Sequence, residues 1–172
     1  RHHAQAIRVR WGTDVAKRVQ SLELSFKEAG LDIVGIQEGR FKDEQKFNGI
    51  FYDIYASAAT AVGACGHQLW LGKHLAPAVQ SVVMHSTRLA ELDALIKVGD
   101  GPHVRTITFS GHAPHMGAST KDKEHFWDTL VVAVNGARAR APSAAVTLLI
   151  DANARVGSEP TAYVGAVQAS KE

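Results

Sequence analysis

Between Asp14 and Ala29 the apolar residues Val15, Val19, Leu22 and Phe26 recur at helical spacing, and Gly30 stands where a helix should stop. The period then changes. Residues 32–38, Asp-Ile-Val-Gly-Ile-Gln-Glu, are a short apolar run ending in polar side chains, which predicts a buried strand delivering Glu38 to its end. Charged residues over 40–46 predict a loop, and 51–56 read as another short strand. Gly63, Gly66 and Gly72 bracket a core strand at 67–71, entered through a tight turn. Three more strands are predicted at 79–85, 89–98 and 104–110, with Asp100-Gly101 as a hairpin signal between the last two. Ser119 is placed to cap a second helix, with Asp122 favouring its positive end. Phe126, Leu130 and Val134 line its buried face until Pro142 stops it. A sharply apolar strand at 145–150 follows, with Asp151-Ala152-Asn153 at its end.

Runs of strands separated by lone helices predict an α/β fold: a layered sandwich of two mostly antiparallel β-sheets, flanked by helices on their outer faces. A doubly wound fold would need stricter alternation and a glycine-rich phosphate loop after the first strand, and the sequence has neither. A chain of 172 residues is long enough for one domain, 1–172, with its own core. Its 45% hydrophobic and 21% charged residues exclude wholesale disorder. A net charge of +2 selects no partner, but the positive excess is local. Arg1, Arg8, Arg10, Lys17 and Arg18 stand against Asp14 alone in the first twenty residues, a segment suited to a phosphate backbone or simply to water. The single cysteine, Cys65, excludes an intrachain disulfide and a multi-cysteine zinc site, and no base partner marks it as a nucleophile. No apolar run approaches the roughly 18 residues of a membrane helix, so no membrane partner is expected.

Candidate chemistry collects at strand ends. Glu38 is a carboxylate at the end of an apolar strand, where it can hold a hard cation; magnesium needs only one or two carboxylates plus substrate phosphate. The plain alternative is a surface carboxylate leaving a strand. Asp151 and Asn153 share a face if strand alternation continues. Asp151 could then orient or deprotonate a water, and Asn153 could donate to an oxyanion without adding negative charge. Here the alternative is an Asx turn. His112, in Ser110-Gly111-His112-Ala113-Pro114-His115, could touch a phosphoryl oxygen or do acid–base work, or be a satisfied structural histidine. His112 and His115 lack a third ligand and do not make a zinc site. Trp11, Trp70 and Trp127 are read as packing residues.

Taken in order, these segments resemble the endonuclease/exonuclease/phosphatase family. Residues 32–40, Asp-Ile-Val-Gly-Ile-Gln-Glu-Gly-Arg, resemble its metal-site strand, and His112-Ala113-Pro114 its Tyr-Ala-Pro segment. Lys123-Glu124-His125-Phe126-Trp127 resembles the helix that follows. Residues 151–157, Asp-Ala-Asn-Ala-Arg-Val-Gly, are similar to a signature of the apurinic-type endonucleases encoded by non-LTR retrotransposons. The resemblance implies phosphodiester cleavage with a divalent metal, magnesium or alternatively manganese. It makes Glu38 the metal ligand, Asp151 the residue that positions the attacking water, and Asn153 a ligand of the scissile phosphate. His112 takes the place of a phosphate-contacting tyrosine, and Arg40 lies near the nucleic-acid backbone. Gly39 and Ile150 replace a usual threonine and glycine, removing no catalytic group.

The family also carries an asparagine strand ahead of the first helix and a Ser-Asp-His segment near its end. Here the asparagines are Asn48, Asn135 and Asn153, and the chain stops at Glu172, so the sequence reads as a family domain truncated at both ends. The expected activity is nicking of DNA through sequence-tolerant backbone contacts, weak or absent in residues 1–172 alone for want of the family's final histidine, in an intracellular and, on the retrotransposon reading, nuclear setting. Two alternatives stand beside it: a phosphatase or phosphodiesterase acting on small or lipid phosphates, and an inactive remnant or binding module. The shortened sheet is expected to leave Trp70 or Leu149 poorly covered and to favour self-association.

Overall fold

The computed structural model describes residues 13–37, 41–59, 66–97 and 100–153, and the side chains from 17 onward within the first of these. Helix α1 spans Thr13–Glu28. Four strands follow, β1 (Ile33–Gln37), β2 (Gln45–Asn48), β3 (Tyr52–Ala56) and β4 (His67–Gly72). They form one antiparallel sheet in the order β1-β4-β3-β2. A 3₁₀ helix, Lys73–Ala78, carries the chain to a second sheet. That sheet comprises β5 (Val79–Ser86), β6 (Leu89–Lys97), β7 (His103–His112) and β8 (Ala145–Asp151), in chain order. Strands β7 and β8 are parallel, and helix α2 (Thr120–Arg140) makes the crossover that a parallel pair requires.

Three apolar clusters set the layers. Phe26 and Val19 of α1 pack on Tyr52, Ile54 and Trp70 on one outer face. Leu69 and Leu71 meet Leu92 and Ala94 between the sheets. Leu130, Ala133 and Ala137 of α2 cover Leu89, Ile107 and Phe109 on the other outer face. The result is the expected two-sheet α/β sandwich with a helix on each side.

Local details follow from the residues. Gly30, at φ +67°, ends α1 in the left-handed conformation, and its N–H donates to the Lys27 carbonyl. Ser119 caps α2 by accepting from the Asp122 N–H at 3.1 Å.

Three expectations need correction. The face of α1 is turned, so that Leu22 is exposed while Glu23 is fully buried. The Glu23 carboxylate accepts from the backbone N–H groups of Phe51 and Tyr52 at 2.9 and 3.1 Å, two donors that the tight β2–β3 turn leaves without ladder partners. Gln45 and Lys46, expected in the charged loop, instead open strand β2, because Phe47 fills the core while Lys46 pairs with Asp53 at 2.9 Å and lies over the Tyr55 ring. Trp70 is fully covered, stacked edge-on by Phe26 at 5.5 Å, and Leu149 is half-buried. Exposed apolar side chains lie elsewhere, among them Val131 and Val132 of α2 and Leu148.

Candidate active site

The parallel pairing of β7 and β8 sets His112 directly opposite Asp151 at the strand ends. His112 Nε2 lies 3.9 Å from Asp151 Oδ2, with the carboxylate about half exposed, at 51%, and the imidazole mostly covered. Strand β8 ends at Asp151, so alternation does not continue to Asn153. Instead Asn153 takes a left-handed φ of +47°, and its N–H donates to Asp151 Oδ1 at 3.0 Å in an Asx turn. That turn swings the Asn153 side chain back toward β7, where its Nδ2 donates to the Ala113 carbonyl at 2.7 Å. The Ala113 N–H donates in turn to the Asp151 carbonyl at 2.8 Å. The three residues are therefore neighbours, held by backbone as much as by side chains. The Asn153 amide keeps a second N–H beyond the one given to Ala113.

Behind this surface lies a buried polar layer that the motif reading passed over. The turn between β5 and β6 holds two histidines through consecutive carbonyls: Thr87 accepts from His67 Nδ1 at 3.3 Å, and Arg88 accepts from the His112 N–H at 3.0 Å. Ser57 Oγ accepts from the His67 N–H at 2.9 Å. Burial pushes the His67 imidazole down to about 4, with nearby His112 adding to the effect and the Thr87 carbonyl opposing it. His67, Leu69 and Leu71 share one strand face, so alternation alone already pointed this histidine inward. Arg88 also donates to the His112 carbonyl at 3.2 Å. It lines a groove of about 300 Å³ with Thr87, Asp122 and His125.

A His67 value below the ordinary 6.5 means that the unfolded chain binds the extra proton first. Stability should be full above about pH 6.5 and fall as pH drops toward 4, by about 3 kcal/mol in all. Urea melts of wild type and His67→Gln between pH 7.5 and 4.5 check this. The variant should have the flatter profile, and parallel profiles would contradict the assignment.

Glu38 and Arg40 lie outside the described residues, as do Trp11, Cys65, Arg1, Arg8, Arg10 and residues 154–157. Among the described residues no three His, Cys, Asp or Glu side chains gather as a metal cage. His115 is exposed and accepts from the Gly117 N–H, so it does not join His112. No described helix is long and apolar enough to cross a membrane.

Sequence comparison finds no matching family profile and no matching curated protein. Structure comparison does find likenesses. The crystal structure of TDP2 from C. elegans matches with a TM-score of 0.54 at 17% identity, over 84% of this chain and 45% of that one. Its selenomethionine form matches with a TM-score of 0.51 at 16% identity over the same shares. The chain thus spans less than half the length of the proteins it resembles. It shares with TDP2 the two-sheet α/β sandwich fold.

Proposed function

We propose that the protein hydrolyses phosphodiester bonds in DNA, and that His112, Asp151 and Asn153 carry the chemistry. The observation behind this is their convergence at adjacent parallel strand ends, on a fold like that of TDP2, a tyrosyl-DNA phosphodiesterase. Asp151 is open enough to orient a water and accept its proton. His112 Nε2 is near enough to that carboxylate to meet an oxygen of the same phosphoryl group. The remaining N–H of Asn153 donates to the phosphate without adding negative charge.

Glu38 follows Gln37 at the end of β1 and would hold a magnesium or manganese ion, with substrate oxygens completing the shell. When bound, the ion neutralises charge on the phosphoryl oxygens. The described residues suit such an ion in one respect: they supply an open carboxylate beside hydrogen-bond donors, not a closed cage. Arg88 and Arg40 supply backbone contacts. Nicking of the retrotransposon type is the finer form of this reading, supported by the Asp-Ala-Asn-Ala-Arg-Val-Gly sequence at 151–157.

Supercoiled plasmid and a small aryl phosphodiester should each be incubated with the protein and magnesium. The expected result is conversion of plasmid to nicked circles, abolished by chelator. DNA binding should weaken steeply with salt, and Arg88→Ala should flatten that dependence by about one contact. Cleavage of the small ester without DNA binding would transfer the reading to small phosphates. Inertness toward both would overturn it.

A further inference from the structure

Three buried polar atoms meet no protein partner among the described residues at the site's end of the sandwich: His67 Nε2, Ser110 Oγ and His112 Nδ1. Buried polar atoms are nearly always hydrogen-bonded, to protein or to ordered water, so three in one region call for a common partner. The strand geometry places them together. Ser110 and His112 are alternate residues of β7 and share a face. Across the sheets, a Cβ on Gly35 would collide with Ser110 Oγ, so β1 approaches β7 closely here only because residue 35 is glycine. Gly35 and Gln37 pair with Leu69 and His67, which sets the His67 ring on that same inner face. The Thr87-Arg88 turn fixes both histidines from the side.

The donor and acceptor count is specific. With its Nδ1–H given to Thr87, His67 presents a bare lone pair at Nε2. If His112 points Nε2–H at Asp151, its Nδ1 is a second bare lone pair, and Ser110 is a hydroxyl donor. A single water set among them would donate to both nitrogens and accept from Ser110, leaving none of the three unmet.

We propose that His67 is a positioning residue for His112. Through a buried water shared with Ser110, it holds His112 as the Nε2–H tautomer, so that this N–H faces Asp151 and the reacting phosphate. The consequence for catalysis rests on the function proposed above; the hydrogen-bond arrangement does not.

The test is long-range ¹H–¹⁵N correlation of the histidine side chains in the full chain at pH 7.5, which reads tautomers without any substrate. Wild-type His112 should be a single Nε2–H species and His67 a single Nδ1–H species. His67→Leu should convert His112 to a tautomer mixture, whereas His67→Gln, whose side-chain carbonyl can accept from the water, should restore one species. Ser110→Ala, a smaller change less able to disturb folding, should also broaden the His112 population. Wild-type His112 protonated at Nδ1, or unchanged in both His67→Leu and Ser110→Ala, would overturn the proposal. With an active protein, His67→Leu should lower kcat and leave KM in place. Tautomers as expected in a protein inert toward every phosphodiester would remove the function and retain the arrangement.

Discussion

Asp151→Asn is expected to lower phosphodiester hydrolysis by about 10²- to 10⁴-fold, the usual contribution of a positioned proton acceptor, with the fold intact. The substitution keeps an oxygen that can accept from the Asn153 N–H, so the Asx turn survives. It also leaves the backbone bond from Ala113 untouched. Only the negative charge 3.9 Å from His112 and its proton affinity are lost. Single-turnover cleavage of plasmid by wild type and variant, beside circular dichroism melts, separates chemistry from stability. An Asp151→Asn variant as fast as wild type would remove Asp151 from the mechanism.

The largest stability effect is expected far from that site. Glu91, at 1% exposure, lies beneath α2 between Arg140, which donates to it, and His85, whose Nε2 is 2.9 Å from its second oxygen. Arg140→Met keeps the aliphatic cover but strands a buried carboxylate with a histidine alone. The cost should be about 3 kcal/mol, which for a chain of this size lowers Tm by roughly 6–12 °C. Adding Glu91→Leu should recover most of the loss, because it removes the buried carboxylate that the half-exposed Arg140 had neutralised. A double variant no better than Arg140→Met would show that the carboxylate is not what the loss reflects.

Strand β8 could be read from the sequence as an apolar run closed by polar residues, and β7 from the alternation of Ile107 and Phe109 with Thr106, Thr108 and Ser110. Asp151 was visible as the first polar group past the closing apolar stretch of β8, with Asn153 two residues on, and His112 as the histidine that closes β7. Their closeness could not be read. It depends on parallel pairing across a 21-residue helix and on the reversal at Asn153, which broke the expected alternation. Leu22 and Glu23 show the limit of periodicity. The helix face was set by two backbone donors 28 and 29 residues away, a demand that spacing within the helix does not record. Strand β2 escaped because its charges are matched across the sheet, Lys46 to Asp53, so its polarity signals pairing rather than a loop. His67 was within reach, since it shares a face with Leu69 and Leu71. Ser110 needed the approach of Gly35 from the other sheet to become significant.

Each sheet is woven from one unbroken stretch of chain, 33–72 and 79–151, with the 3₁₀ helix at Lys73–Ala78 as the seam. Each stretch also has its own covering helix, so most pairing in either half closes without waiting for the other. What binds the halves is the fully buried layer of Leu69, Leu71, Leu92 and Ala94 between them, which would meet water if the sheets parted. His67 belongs to the first half, and His112, Asp151 and Asn153 to the second. The same apolar layer that joins the sheets therefore also fixes how far His67 stands from the strand ends that carry His112 and Asp151.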